Sequence, residues 1–401
     1  MLNDIRAVSV APDATDTVAL ARGDHARLVV RTPGWQLKDL RERLRSTRWP
    51  PAAVGDGSRR GADVDYLREL TTYWADEFDW PAREQRLNAL PSRLARVGAH
   101  LVSFVHARSS HPDALPLVIV HGWPSAPVEF AGLLGPLTDP TSHGASAADA
   151  FDVVLVSLPG FLLSGPAGAA TYDIRDGAET VAELMSMLGY SRYGAHGGDW
   201  GASAASWLAH LAPQAVVGIH LTTVVAPLGE TARLNERDRA DLAAQRRFRE
   251  EEMAYQALQS TKPDALAVAL SDSPAGLATW LVDKYRSWSD CDGDVERVFD
   301  RDLLLELLTL YWLTGTIGAS MRLYFDTRAS GRMPLAFGPV EVPTGCAIFG
   351  RELTRPPRSV AELWYRIERW TTFATGGHFP ALERPAALVD ELRAFFQPLR
   401  A

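Results

Sequence analysis

Cysteine is scarce in this chain of 401 residues, which contains only two. Cys291 and Cys346 are too few and too far apart to form a disulfide framework or a metal-binding motif. This scarcity fits a reducing compartment, so we expect a cytoplasmic protein without a metal centre.

Long hydrophobic runs are also missing. No stretch of about 18 apolar residues occurs, which is the length that a membrane-spanning helix needs. Residues 1–6 lack the basic and apolar blocks of a secretory signal. We therefore expect neither a membrane anchor nor export.

Positive charge is in deficit, with 41 Lys and Arg against 49 Asp and Glu and a net charge of −8. Nearly all of the basic residues are arginine, which we attribute to genomic composition. A chain of this charge is unsuited to binding nucleic acid and favours solubility. Apolar residues make up 46% of the chain, enough for a sizeable core.

The middle of the chain alternates between strand-like and helix-like patterns. Continuous apolar segments occur at 101–105, 115–120, 153–158 and 216–221, with an elbow-like turn and amphipathic stretches between them. Strands that are apolar on both faces are typical of a parallel sheet covered by helices. Strand patterns stop near residue 228 and resume near 341, which predicts a helical cap inserted late in an α/β domain.

We divide the chain accordingly. Residues 1–24 show weak periodicity and are expected to form a loosely attached arm. Residues 25–100 carry two amphipathic helices, joined by a loop at 53–61, and are expected to cover a larger unit. The α/β core is predicted in two parts, 101–227 and 335–401, on either side of the cap at 228–334.

The stretch 194–202 reads Gly-Ala-His-Gly-Gly-Asp-Trp-Gly-Ala and lies between a short strand and a helical pattern. A nucleophile flanked by small residues at such a turn is typical of the nucleophile elbow of the α/β-hydrolase fold. Asp199 stands at the nucleophile position, where serine would make an esterase. The alternative is a glycine-rich turn in which Asp199 only caps the following helix.

The base of such a site should be a histidine that follows the nucleophile in the chain. Of the ten histidines, His378 lies near the C-terminus after the last predicted strand, in a Gly-Gly-His-Phe loop. We predict that His378 is the base, with a surface histidine as the alternative. His121 and His196 stand at strand ends and are expected to be structural.

The orienting acid should lie in a loop after a strand, between the nucleophile and the base. The loop after 216–221 carries no carboxylate, whereas the loop after the predicted strand at 346–349 supplies Glu352. We therefore predict that Glu352 is the acid. The alternative is a surface carboxylate paired with a neighbouring arginine, Arg351 or Arg355.

Backbone N–H groups should stabilise an oxyanion at this site. One is expected on Trp200, directly after the nucleophile, and the other in an earlier strand-to-helix loop. The segment His121-Gly122-Trp123-Pro124 follows a predicted strand, and Pro124 has no N–H, so Trp123 is the candidate donor. An ordinary Gly/Pro turn is the alternative.

The combination of these motifs resembles the microsomal-type epoxide hydrolases over about residues 25–398. The resemblance extends to the N-terminal stretch from Asp39-Leu40-Arg41 to Arg48-Trp49-Pro50, which is similar to the family's wrapping domain, and to three cap motifs: Ser260-Thr261-Lys262-Pro263-Asp264, Asp272-Ser273-Pro274, and Tyr311-Trp312-Leu313-Thr314-Gly315-Thr316-Ile317. It implies an α/β-hydrolase fold with a helical cap and an N-terminal helical wrapping segment. Residues 1–24 match nothing in this pattern.

The resemblance also implies two cap tyrosines, at Tyr255 and Tyr324. Without it, both would be interpreted as core aromatic residues. Two departures from the family pattern occur: Gly350 stands where proline is common, and Ser125-Ala126 replaces the usual Gly-Ser. Neither departure removes a proposed catalytic group.

The implied activity is hydrolysis of an epoxide to a vicinal diol. Asp199 would attack carbon to form an ester, the two phenols would protonate the ring oxygen, and His378 would activate water against the ester. The partners are a small-molecule epoxide and water, and no metal, nucleotide or redox cofactor is required. The oligomeric state stays open, with a homodimer as one option.

Two other functions remain open at this point. A haloalkane dehalogenase shares an Asp-Trp elbow, and a non-catalytic protein could use the same fold to bind an apolar ligand; a serine esterase is disfavoured by Asp199. Twelve tryptophans and an apolar cap suggest a bulky hydrophobic or aromatic epoxide. Detoxification and secondary-metabolite tailoring are equally compatible with that substrate.

Overall fold

A computed structural model describes residues 5–9, 20, 23–51, 60–61, 63–228 and 234–400. Most of the predicted loop at 53–61, much of the predicted arm at 1–24 and residues 229–233 at the start of the predicted cap lie outside these ranges.

Ten strands of the described chain form one sheet, in the order β1-β2-β3-β4-β6-β5-β7-β8-β9-β10. From β6 to β10 all neighbouring pairs are parallel, while β2, β3, β4 and β6 pair antiparallel in succession. The strands are β1 (Ile5–Ser9), β2 (His25–Arg31), β3 (Ser92–Val97), β4 (His100–Ala107), β5 (Leu115–Val120), β6 (Phe151–Val156), β7 (Tyr193–Gly197), β8 (Val216–Leu221), β9 (Val340–Ile348) and β10 (Tyr365–Thr372).

Helices cover both faces of this sheet and build the cap between β8 and β9. They are α1 (Gly34–Arg45), α2 (Val64–Asp76), α3 (Trp80–Ala89), α4 (Ala131–Thr138), α5 (Ile174–Met187), α6 (Trp200–Leu211), α7 (Glu236–Glu252), α8 (Ala254–Gln259), α9 (Pro263–Asp272), α10 (Pro274–Trp288), α11 (Arg301–Thr314), α12 (Ile317–Ser330), α13 (Arg358–Ala361), α14 (Pro380–Glu383) and α15 (Pro385–Phe396). The expected α/β class with a helical cap is confirmed.

Strand β5 shows why the central segments are apolar without alternation. Val118 and Val120 pack into the core shared with α5, α6 and the cap. Leu117 and Ile119 point to the other face and pack with α4 and α15. A strand buried on both sides needs apolar residues at every position, which is the pattern that predicted a parallel sheet.

The described part of residues 1–24, for which we expect a loosely attached arm, includes a paired strand. Ile5–Ser9 pair in parallel with β2, and Leu20 is buried in a small cluster with Leu28 and Leu94. An edge strand is held by backbone hydrogen bonds along one side, and these bonds require no hydrophobic periodicity. Weak hydrophobic periodicity in residues 1–24 therefore does not exclude a paired strand there.

Other strand predictions differ in detail. The separate strands expected at 341–343 and 346–349 are one strand, β9, which includes Pro343. Strands β3 and β10 were not predicted, since both are rich in arginine and lie toward the outer parts of the sheet. Their charged residues hide the apolar alternation that identifies a strand.

The segment that contains α1–α3 packs against the cap. The Trp74 indole N–H donates to the Thr309 hydroxyl at 2.9 Å, and the Tyr73 hydroxyl donates to Asp302 Oδ1 at 2.9 Å. Arg83 forms ion pairs with Asp302 at 2.8 Å and with the buried Glu306 at 3.4 Å. These contacts join α2 and α3 to α11.

No helix of the described ranges is by itself long and apolar enough to cross a bilayer. Two sharply bent pairs meet the requirement by length and composition alone: Pro263–Asp272 with Pro274–Trp288, and Arg301–Thr314 with Ile317–Phe337.

Candidate active site

Asp199 stands at a strained turn between β7 and α6. Its backbone has φ 50° and ψ −127°, a conformation that a non-glycine residue rarely adopts. The Asp199 N–H donates to the Thr223 hydroxyl at 2.9 Å, which anchors the turn to the end of β8. Asp199 makes no side-chain capping bond to α6, so its carboxylate is free for other contacts. The geometry is that of an elbow and not of a helix cap.

Two glycines allow this turn to fit against the sheet. A Cβ atom at Gly201 would collide with the carbonyl oxygen of Val120, and one at Gly197 would collide with the backbone of Gly201. The glycine pattern around the nucleophile therefore reflects close backbone approach between β5, β7 and α6.

The Asp199 carboxylate contacts the loop that follows β5. The Trp123 N–H donates to Asp199 Oδ1 at 2.8 Å. Trp200 is the first residue of α6, where N–H groups have no partner within the helix. One predicted oxyanion donor thus already binds the carboxylate, and the other lies at the free amino end of the adjacent helix.

His378 and Glu352 meet directly beside Asp199. His378 Nδ1 lies 3.0 Å from both carboxylate oxygens of Glu352. The other ring nitrogen, Nε2, lies 3.6 Å from Asp199 Oδ2. A nucleophile, an imidazole and an acid are therefore arranged in line, at the carboxyl edge of the parallel strands.

The charged pair of His378 and Glu352 is buried, since their side chains are 3% and 0% exposed. Burial alone would lower the pKa of His378. The negative charges of Glu352 and Asp199 outweigh burial and hold that pKa well above its ordinary value. The two carboxylates therefore favour the protonated form of the imidazole in the resting enzyme.

Glu352 is not the arginine-paired surface carboxylate that was its alternative. Its Oε1 atom accepts the Leu353 N–H at 2.8 Å in addition to the contact with His378. Arg351 instead lies 3.5 Å from Asp290, and Arg355 donates to the Gly350 carbonyl.

The His378 loop is also held by the cap. The His378 N–H donates to the Trp288 carbonyl at the end of α10 at 2.9 Å, and the Trp288 ring meets the imidazole edge-on at 5.2 Å. Glu383 accepts the N–H groups of Gly377 and Asp290, both at 2.7 Å, so one carboxylate ties this loop to the residues after α10.

Tyr255 and Tyr324 belong to an aromatic group above the nucleophile. Tyr255, on α8, stacks on Trp123 with ring centroids 5.5 Å apart and planes 9° apart. Tyr324, on α12, meets Trp200 edge-on at 4.8 Å, and the two tyrosine rings are 6.1 Å apart. Burial raises the pKa of both phenols, which keeps them protonated as hydrogen-bond donors.

The Tyr324 hydroxyl is buried and makes no hydrogen bond of good geometry within the described residues, although it faces the Tyr255 hydroxyl. An unpaired buried hydroxyl costs roughly 1–3 kcal/mol. A hydroxyl in this position, within an aromatic group over Asp199, favours a role in binding a hydrogen-bond acceptor. The alternative interpretation, that the tyrosines are only core aromatic residues, does not explain it.

A small cavity of about 20 Å³, enough for one water molecule, is lined by Asp199, His378, Ser125 and Glu129. The Ser125 hydroxyl donates to Glu129, and burial raises the pKa of Glu129 to about 7. Sequence reasoning missed this carboxylate. A glutamate in a loop-to-helix segment is usually solvated, and only the fold brings it under the nucleophile.

His121 and His196 have the surroundings of structural residues. His121 Nδ1 contacts the Gly122 carbonyl at 2.8 Å, and His196 Nδ1 contacts His220 at 3.1 Å. Burial lowers the pKa of both His121 and His196 to about 4, so they are neutral at pH 7. Within the described ranges, no group of three or more His, Cys, Asp or Glu side chains is arranged to hold a metal ion.

Comparison with protein families gives two matches. Residues 26–130 match the epoxide hydrolase N terminus, and residues 116–262 match the alpha/beta hydrolase fold. The two ranges cover the segment before the core, the elbow and the start of the cap.

Relatives match nearly the whole chain. A protein of Stigmatella aurantiaca that carries a provisional epoxide hydrolase name is 39% identical over 93% of this chain and 84% of its own. Epoxide hydrolase 1 of Sus scrofa is 32% identical over 91% of this chain and 87% of its own. The solved structure of Aspergillus niger epoxide hydrolase superimposes with a TM-score of 0.84 at 28% identity, covering 93% of this chain and 96% of the other.

Proposed function

This chain belongs to the microsomal-type epoxide hydrolase family and is an epoxide hydrolase of the α/β-hydrolase fold, and on that premise we propose that it acts through a covalent ester of Asp199. The observation that carries the proposal is the position of the Asp199 carboxylate, between the Trp123 N–H and a buried His378–Glu352 pair. A water-activating site without a nucleophile would not need the strained elbow that presents this carboxylate.

The first step opens the ring. A carboxylate oxygen of Asp199 forms a bond to an epoxide carbon, the bond from that carbon to the ring oxygen breaks, and Tyr255 or Tyr324 donates a proton to that oxygen. The unpaired Tyr324 hydroxyl supports this role. General acid help of this kind contributes on the order of 10²–10⁴ in rate.

The second step hydrolyses the ester. His378 takes a proton from water, and the resulting hydroxide adds to the ester carbonyl while the N–H groups of Trp123 and Trp200 stabilise the oxyanion. The bond from the ester carbonyl carbon to the substrate oxygen then breaks, and the leaving alkoxide becomes the diol by taking the proton that His378 returns. The second proton of the water passes from the Asp199 carboxyl to the phenolate, which restores both the carboxylate and the phenol. The cavity lined by Asp199, His378 and Glu129 is where we place the attacking water, since it borders both reacting groups.

Ester formation also prepares the base. In the resting enzyme two carboxylates raise the pKa of His378. Esterification removes the charge of Asp199 and leaves only that of Glu352, so the pKa of His378 falls when a neutral imidazole is needed.

We predict that Glu352→Gln slows ester hydrolysis by on the order of 10³-fold, because the imidazolium loses its charge partner and its fixed orientation. Ring opening should be nearly unaffected, so the ester should accumulate during turnover. Rapid-quench mass spectrometry measures both steps.

Glu341→Gln is the matched control for Glu352→Gln, since Glu341 is an exposed glutamate on β9. It should hydrolyse the ester at the wild-type rate. A wild-type rate in Glu352→Gln itself would move the role to another carboxylate.

We predict that Tyr255→Phe and Tyr324→Phe each slow ring opening by about tenfold or more, and that the double variant loses on the order of 10²–10⁴. One phenol partly compensates for the other, so the single losses should not add simply. Stopped-flow fluorescence of the tryptophans beside Asp199 reports this step. Unchanged single-turnover rates in both single variants would exclude the phenol pair.

The substrate that we propose is a bulky hydrophobic or aromatic epoxide, in detoxification or in tailoring of a secondary metabolite. The aromatic group around Asp199 supports an apolar partner. Incubation with styrene oxide, alkyl epoxides and stilbene oxides should yield vicinal diols. Haloalkanes test the dehalogenase alternative, and halide release without diol formation would favour it. No diol from any epoxide would favour the non-catalytic binding alternative.

The domain boundaries, the location and the assembly stay proposals. A wrapping segment at 25–100 and a cap at 228–334 are supported by the contacts of α2 and α3 with α11. A cytoplasmic location is supported by Cys291 and Cys346, which are both buried and unpaired. A homodimer is testable by light scattering.

A further inference from the structure

One lysine lies in the interior of the cap. The chain has three lysines among 41 basic residues. Lys38 and Lys262 are exposed, whereas the side chain of Lys284, on α10, is only 8% exposed. A buried ammonium is costly unless it has partners, so its surroundings bear on its role.

The partners of Lys284 are the Asp283 carboxylate and two aromatic rings, and its charge also acts on the Glu252 carboxyl. Its Nζ lies 2.6 Å from Asp283 Oδ2. The same Nζ lies 5.4 Å from the centroid of the Tyr255 ring and 5.7 Å from that of the Trp280 ring, both within cation–π range. Arg286 also faces Asp283 at 3.8 Å, so the carboxylate is shared between two cations.

Tyr255 connects this cation to the nucleophile. Its ring stacks on Trp123, whose N–H binds the Asp199 carboxylate. The helix that bears Tyr255 is fixed to α10 by a second contact, since the Trp280 indole N–H donates to Gln259 Oε1 at 3.2 Å. Lys284 thus lies against a phenol that is held in one place above the reacting carboxylate.

We propose that Lys284 is a positioning residue that acts through Tyr255, holding its ring in place and stabilising the charge that its phenol acquires when it gives up a proton. The inference rests on the proposed role of Tyr255 as an acid. As the epoxide carbon–oxygen bond breaks, the phenol O–H bond breaks too and the proton moves to the ring oxygen. Negative charge then develops on the phenol beneath a cation in a poorly solvated site, where charges interact more strongly than in water.

Replacing Lys284 with an uncharged residue should make Tyr255 a weaker acid, although Lys284 itself does not contact the substrate. Lys284→Met keeps an unbranched apolar side chain of nearly the same length and removes the charge. We expect about tenfold slower ring opening in single-turnover stopped flow, with little change in ester hydrolysis. Lys284→Arg retains a cation and should keep most of the wild-type rate.

A double-mutant comparison separates this role from a purely structural one. In a Tyr255→Phe background residue 255 cannot donate a proton and only Tyr324 remains as an acid, so adding Lys284→Met should change the rate of ring opening by less than about twofold. An equal loss in both backgrounds would show that Lys284 only supports the fold. A loss in Lys284→Arg as large as that in Lys284→Met would also overturn the proposal, because the charge would then be irrelevant.

The remaining comparisons identify which claim has failed. Lys262→Met is the matched control on an exposed lysine and should behave as wild type. If Tyr255→Phe alone opens epoxides at the wild-type rate, the proposed role of Tyr255 fails; if it is slow while Lys284→Met is not, only the inference on Lys284 fails. Should Lys284→Met not fold, Lys284→Gln provides the same comparison with a polar side chain.

Discussion

His378→Gln is expected to stop after one chemical event, with the enzyme carrying its substrate as an ester on Asp199. Ring opening needs the carboxylate and the phenols, whereas only hydrolysis needs a base to activate water. Turnover should fall by several orders of magnitude, on the scale seen when a member of a catalytic triad is removed. Intact-protein mass spectrometry should show one added substrate mass per chain.

His143→Gln is the matched control, since His143 is an exposed histidine that does not line the cavity beside Asp199. It should turn over normally and carry no adduct. Full turnover by His378→Gln would remove His378 from its proposed role. Absence of both turnover and adduct would mean that His378 is needed before the ester forms.

A single turnover in ¹⁸O-water, with enzyme in excess, should give an unlabelled diol and a labelled peptide containing Asp199. In the ester mechanism the carboxylate donates its own oxygen to the diol, and water oxygen enters the protein. If water attacked the epoxide directly, the label would appear in the diol. Asp199→Asn should lose activity by on the order of 10⁶, because a neutral amide is a poor nucleophile.

The peptide containing Asp173 is the internal control for this labelling. Asp173 is a buried aspartate that forms an ion pair with Arg332 and caps α5. It should stay unlabelled under the same conditions. Labelled diol with an unlabelled Asp199 peptide would refute the covalent mechanism while leaving epoxide hydrolysis intact.

The site could be located from the sequence because the fold determines after which strands its residues must lie. Asp199, Glu352 and Trp123 follow parallel strands, and the carboxyl ends of parallel strands meet at one edge of the sheet. The order of nucleophile, acid and histidine then restricted the choice to a few residues. The tyrosines came from family resemblance, since neither has a local pattern that distinguishes it from a core residue.

What the sequence could not reveal depends on long-range packing. Glu129 and Lys284 are ordinary charged residues in their own segments, and only tertiary contacts bury the first under Asp199 and the second against Tyr255. Strand β1 was not predicted for a related reason. It pairs with β2 through backbone contacts, which side-chain periodicity does not reveal.

The link between the His378 loop and the end of α10 limits how members of this family can be recombined. The His378 N–H binds the Trp288 carbonyl, and the Gly376 N–H binds Asp290 Oδ2 at 2.8 Å, so the loop takes its shape partly from the cap. A chimera that exchanges a cap at residues 228–334 would bring in a foreign segment at 288–290 against a native loop. A chimera that transfers residues 285–291 together with residues 376–383 should keep His378 between the carboxylates of Glu352 and Asp199. Exchange of the cap alone should yield folded enzymes that open epoxides normally but hydrolyse the Asp199 ester slowly.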